Sequence, residues 1–207
     1  MLTVKEQIWR VVLERAKDGL IEQQEVASLL GVSTSTVHNA LIVPRRAGAV
    51  AVGGRGFQVV DRMKLNVIWA VFRNLWRDVI LDVWTDLPPG KTEGLVSRVE
   101  GVRFTGPSAF KFVYGYVPSD YDHVLAYAER DLLKDIVERS GSNVSGTFKN
   151  NAPRRARDVT RLTLLEPDPR LPDAEVPFTQ VYVDLWQLPV WWATEFTKRI
   201  EEMVLGA

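Results

Sequence analysis

Glu22-Gln23-Gln24-Glu25-Val26-Ala27-Ser28-Leu29-Leu30-Gly31-Val32-Ser33-Thr34-Ser35-Thr36-Val37-His38-Asn39-Ala40-Leu41-Ile42 decides the fold of the N-terminal part of this chain. It reads as two short helices joined by a tight turn. Gly31 stands where a chain leaving a helix needs positive φ, which glycine adopts at little cost. Ser33 stands where the next helix needs an N-cap acceptor. Val26, Ala27, Leu30, Val32, Val37 and Leu41 then face one small core. Thr34, Ser35, Thr36, His38 and Asn39 are left outward on the second helix.

Working outward, Ala49-Val50-Ala51-Val52 and Phe57-Gln58-Val59-Val60 read as two strands around the glycine-rich tip Gly53-Gly54-Arg55-Gly56. A helix is expected upstream, from Val4 to about Lys17. The whole stretch resembles the winged helix-turn-helix domains of prokaryotic regulators. That resemblance implies double-stranded DNA as partner, with the slim second helix entering the major groove. Thr34, Ser35, Thr36, His38 and Asn39 would meet bases. Arg45, Arg46 and Arg55 would meet phosphate or the minor groove. The alternative is a small helical module that docks protein.

Composition narrows the remaining classes. The chain has 207 residues, 46% hydrophobic and 25% charged, which suits globular domains rather than a disordered chain. Its formal net charge is zero, and residues 1–62 carry eight Lys or Arg against six Asp or Glu. No global basic field holds such a chain on nucleic acid, so affinity rests on a few placed arginines and on a homodimer that doubles the contacts. The absence of cysteine excludes disulfides, thiolate metal sites and thiol catalysis, and two histidines are too few for a His-rich metal site. No cofactor is expected. No apolar run reaches the roughly 18 to 20 residues that span a bilayer, and the opening residues lack a signal-peptide pattern. No membrane association and a cytoplasmic location are therefore expected.

Past the hairpin, Leu65, Ile68, Trp69, Phe72, Leu75, Trp76, Val79, Ile80 and Val83 recur at steps of three and four. This predicts one connecting or dimerisation helix over residues 63–85, between a DNA-binding domain at 1–62 and an α/β domain at 86–207. In the latter, strands are expected at 102–105, 123–128, 160–165 and 180–186. Helices are expected at 108–116, 130–139 and 191–205, with a polar loop at 143–151 and a proline-rich loop at 167–177. The fold class is α+β.

Three carboxylates in this part carry a possible chemistry. Asp120 and Asp122 form an Asp-x-Asp ahead of one strand, and Asp184 lies in the segment Gln180–Trp186. With Gly106-Pro107-Ser108 upstream, the order resembles the minimal nucleotidyltransferase pattern. There a Gly-Ser turn holds phosphates and three carboxylates hold two magnesium ions that bridge the attacking and departing oxygens. Pro107 splits the Gly-Ser pair and removes a backbone donor from the turn. The enzyme alternative therefore assigns Asp120, Asp122 and Asp184 to magnesium. The other alternative is a degenerate, non-catalytic version of that fold.

A broader resemblance covers nearly the whole chain. The helix-turn-helix with its hairpin, the segment Thr105-Gly-Pro-Ser-Ala-Phe110, and Gln180-Val-Tyr-Val-Asp-Leu-Trp186 before a terminal helix look like the AbiEi family of type IV antitoxins. The resemblance implies an autorepressor of its own promoter, a non-catalytic second domain and a nucleotidyltransferase toxin as partner protein. The Arg-Gly pair common after the Asp-Leu segment in that family is replaced here by Leu188-Pro189-Val190-Trp191-Trp192. Two further groups stand out: the basic Arg154, Arg155 and Arg157, and the aromatic Trp186, Trp191, Trp192 and Phe196. A solvated face and a core or interface anchor are the expected roles. His123 is expected as a satisfied structural histidine beside Asp122.

Overall fold

The computed structural model describes residues 1–139 and 159–205; the expected loop at 143–151 and the Arg154, Arg155 and Arg157 cluster lie outside the described residues. The chain is mixed α+β. In order, its elements are α1 (Val4–Glu14), α2 (Gln23–Leu30), α3 (Thr34–Ala40), α4 (Ile42–Arg46), β1 (Val50–Val52), β2 (Phe57–Val59), α5 (Arg62–Phe72) and β3 (Val79–Thr85). There follow α6 (Pro89–Val96), β4 (Arg103–Thr105), α7 (Gly106–Tyr114), β5 (His123–Tyr127), α8 (Leu133–Arg139), β6 (Thr160–Leu165), α9 (Phe178–Trp186) and α10 (Ala193–Ile200). No helix among the described residues is long and apolar enough to cross a membrane.

The chain forms two compact units. A helical unit takes Leu2–Arg73, Pro177–Gln187 and the chain from Thr197 on; a sheet unit takes Met1, Asn74–Val176 and Leu188–Phe196. The sequence places a boundary at residue 62, whereas the units divide at Arg73 and return α9 to the N-terminal helices.

In the helical unit α1 starts with a capping box. The Thr3 hydroxyl accepts from the Glu6 N–H at 3.3 Å, and the Glu6 carboxylate accepts from the Thr3 N–H at 2.8 Å. The helix buries Ile8, Trp9, Val12 and Leu13, and the Trp9 indole donates to the Ala40 carbonyl at 2.9 Å. That bond satisfies one of the last carbonyls of α3 and fixes its far end against α1. α9 is enclosed on nearly every side, with Thr179 through Leu185 buried. Its polar side chains are matched inside: Arg10 donates to Gln180 at 3.0 Å, and Arg73 to Asp184 at 3.2 Å.

The sheet unit is built on four strands in the order β3-β6-β5-β4, with β5 and β6 parallel and the other pairs antiparallel. One face carries the core of Val124, Ala126, Leu162 and Leu164, packed with Val96 and Ile136 from the helices. Alternation along the strands sends Asp82, His123, Arg161 and Thr163 to the other face.

Two sequence expectations are corrected. The helix over 63–85 does not exist as one element. α5 ends at Phe72, Arg73 turns to extended backbone, a single 3-10 turn covers Leu75–Asp78, and β3 begins at Val79. Val79-Ile80-Leu81-Asp82-Val83-Trp84 is rich in β-branched and aromatic residues, and a strand exposed along one edge tolerates a pattern that also fits a helix. Conversely, Gln180–Trp186 is helix, not strand. An apolar run buried on all sides has no period to read, and tertiary packing overrides the β-preference of its valines and tyrosine. A further helix, α6, has no counterpart in the sequence reading: Pro88-Pro89-Gly90 opens it, with Pro89 in the first turn where its missing N–H costs nothing.

Candidate nucleic-acid interface

The sequence positions α3 by the turn that precedes it. Gly31 takes φ 61° and ψ 34° at the end of α2, and the Ser33 hydroxyl accepts from the Thr36 N–H at 3.1 Å to cap α3. Val37 and Ala40 then point inward, while Thr34, Ser35, His38 and Asn39 are exposed. Thr36 is different: its hydroxyl lies 2.9 Å from that of Ser33 and it is only half-exposed, so the cap occupies part of its bonding capacity.

β1 and β2 form an antiparallel hairpin in the register Val50↔Val59 and Val52↔Phe57. Its tip is closed by the Gly53 N–H donating to the Gly56 carbonyl at 2.9 Å, which puts Gly54 and Arg55 at the turn. A third partner was not legible in the sequence. Ile21 pairs with Phe57, donating to its carbonyl at 2.8 Å and accepting from its N–H at 2.9 Å. Gly56 makes that approach possible, because a Cβ there would run into the Ile21 carbonyl.

The tip and the helices share one open cleft of about 350 Å³, lined by Glu22, Gln23, Gln24, Thr34 and residues 52–56. Thr34 at the start of α3 and Arg55 at the tip therefore border the same space. Among the described residues Arg46 and Arg55 form no ion pair, and both are exposed. Arg15, by contrast, is neutralised by Asp18 and Glu25. Arg45 lies on α4, which the sequence did not reveal as a helix, and its guanidinium Nη1 is 3.4 Å from His38 Nδ1.

Two of the acidic residues proposed for magnesium have other partners. Asp184 sits on α9, not on a strand, and is fully buried against Arg73. Asp122 accepts from the Trp192 indole at 3.2 Å. Among the described residues no three His, Asp or Glu side chains gather as a metal ion would require.

His123 does not bond Asp122. Its Nε2 is 2.7 Å from the Thr163 hydroxyl, which itself donates to Asp82 at 2.8 Å, so the imidazole carries its proton on Nε2. Burial and the neighbouring Arg161 charge push the His123 pKa down to about 3 against the pull of Asp82. Asp82 is raised by burial, but bonds from Arg161 and Thr163 and the Arg161 charge outweigh this and hold it below the usual carboxylate range. The Arg161 pair is bidentate, at 2.8 and 2.7 Å. A second polar cluster had no motif to announce it: buried Glu93 takes Lys111 at 2.6 Å and the Tyr121 phenol, whose pKa burial and Glu93 push well up. Of the aromatic group, Trp192 packs edge-on to Phe196, whereas Trp186 belongs to the helical unit beside Tyr182.

No protein-family model matches the chain, and no curated protein and no solved structure matches it.

Proposed function

We propose that the protein is a sequence-specific DNA-binding transcriptional regulator whose N-terminal part is a winged helix-turn-helix. The observation that carries this is the shared cleft: the exposed polar face of α3 begins at Thr34, and the arginine-tipped hairpin borders the same open space. A duplex lying there would receive α3 in its major groove, with Thr34, Ser35, His38 and Asn39 toward base edges. Arg55 and Arg46 would lie against the backbone. The sparse charge of this region argues for binding as a homodimer. In this reading the chain is the autorepressing antitoxin of a type IV pair, acting in the cytoplasm, with a nucleotidyltransferase toxin as its protein partner and a sheet unit that is a non-catalytic relative of the nucleotidyltransferase fold. The enzyme alternative loses support because Asp184 is buried in an ion pair with Arg73.

The test is Arg55→Ala in a salt titration on duplex DNA. Each protomer should lose one phosphate contact, weakening binding to all sequences and reducing the slope of log K against log salt by about 0.9 per site. An unchanged slope would remove the hairpin from the interface.

A further inference from the structure

His38 and Arg45 are seven residues apart, on α3 and α4, and meet through His38 Nδ1 and Arg45 Nη1 at 3.4 Å. Arginine has only donors, so the contact requires a lone pair on Nδ1. The proton of the neutral ring then sits on Nε2, at the other side of the imidazole. His38 is exposed on the outward face of α3, between Thr34 and Asn39 in the row left open for bases.

We propose that His38 is a specificity-determining residue that donates from Nε2 to an acceptor on the major-groove edge of a guanine, and that Arg45 is the positioning residue that fixes its tautomer and ring orientation. The proposal rests on the DNA-binding reading and adds to it the base and the division of labour. Guanine offers two adjacent acceptors, N7 and O6, to a single N–H donor, whereas the cytosine edge presents a donor at N4 and would clash in hydrogen-bond sense. A ring free to flip would present Nδ1 or Nε2, donor or acceptor, and discriminate little. The Arg45 contact removes that ambiguity. Arg45 is thereby assigned to His38 rather than to phosphate, while Arg46 and Arg55 keep the backbone role.

The experiment is selection from a duplex library randomised over two helical turns, roughly 20 base pairs. Salt titrations on the selected duplex follow, for the wild-type chain, His38→Ala, Arg45→Ala and Arg45→Gln. The wild type should select guanine at one position per half-site. His38→Ala should erase the preference at that position alone, with a loss of roughly fivefold to a hundredfold on the selected duplex. Arg45→Ala should erode the same position. Arg45→Gln, which keeps an N–H donor without charge, should retain the preference and the wild-type salt slope. If Arg45→Gln instead lowers the slope while every base preference stays, Arg45 is a phosphate contact and the proposal is overturned. If His38→Ala leaves the selected sequence unchanged, His38 reads nothing. Failure of the wild type to bind any duplex at low salt would overturn the DNA-binding reading, and this proposal with it. Specific binding that is insensitive to His38 would overturn this proposal alone.

Discussion

Arg73 and Asp184, 111 residues apart in the chain, form an ion pair at 3.2 Å with both side chains fully buried. The pair ties the last turn of the N-terminal helices to α9, so the helical unit is complete only when a segment from beyond the sheet unit has returned to it. A residue that looked like a metal ligand is thus a structural counter-ion. Breaking a buried pair from one side strands the other charge, at about 3–5 kcal/mol. Asp184→Ala should fall at the low end of that range, because Glu6 remains 4.0 Å from Arg73. Urea unfolding measures it; a midpoint equal to wild type would show that the pair contributes nothing.

Gly56 and Gly54 separate sterics from flexibility in the hairpin. A methyl group at Gly56 meets the Ile21 carbonyl, whereas one at Gly54 meets nothing within 4 Å. Gly56→Ala should cost about 1–3 kcal/mol and speed hydrogen exchange at the Phe57 amide, which donates to Ile21. Gly54→Ala should stay within about 0.5 kcal/mol of wild type. Equal effects in thermal unfolding would dismiss the Ile21 contact as the reason for glycine.

The buried imidazole makes stability depend on acidity. His123 is depressed to about 3 in the folded chain from an ordinary value of 6.5. Between these values the unfolded chain binds a proton that the folded chain refuses. Stability is therefore full above pH 6.5 and is lost as pH falls toward 3, with a slope of at most about 1.4 kcal/mol per pH unit. His123→Gln keeps a donor for Thr163 and cannot titrate. Urea midpoints collected from pH 7 to pH 4 should fall for the wild type and run flatter for His123→Gln; parallel curves would assign the acid sensitivity elsewhere.

The short signals of α3 and the hairpin were legible because each rests on local chemistry. Gly31, Ser33 and the Gly53–Gly56 tip act within a few residues of where they stand, and the structure places each as its type requires. What the sequence hid depends on distant partners. β3 reads as helix because Val79, Ile80 and Val83 keep the helical step while Val79, Leu81 and Val83 alternate as in a strand, and only pairing with β6 decides between them. α9 reads as strand because Thr179 through Leu185 are all covered and leave no exposed polar side to mark a helical period. Asp184 shared a spacing with metal ligands but is spent on Arg73, and Arg45 looked like a free cation until α4 carried it to His38. Ile21, next to the hairpin in space but some 36 residues from Phe57 in sequence, left no signal at all.

The most direct measurement is fluorescence anisotropy of the purified chain on a duplex from its own upstream region, against a scrambled duplex of equal length and composition, at about 0.15 M salt. Specific binding at least about a hundredfold tighter than the control is the expected result, with a linear fall of log K against log salt. Equal affinity for both duplexes, or no binding even at low salt, would contradict the account and turn the exposed face of α3 into a surface for something other than DNA.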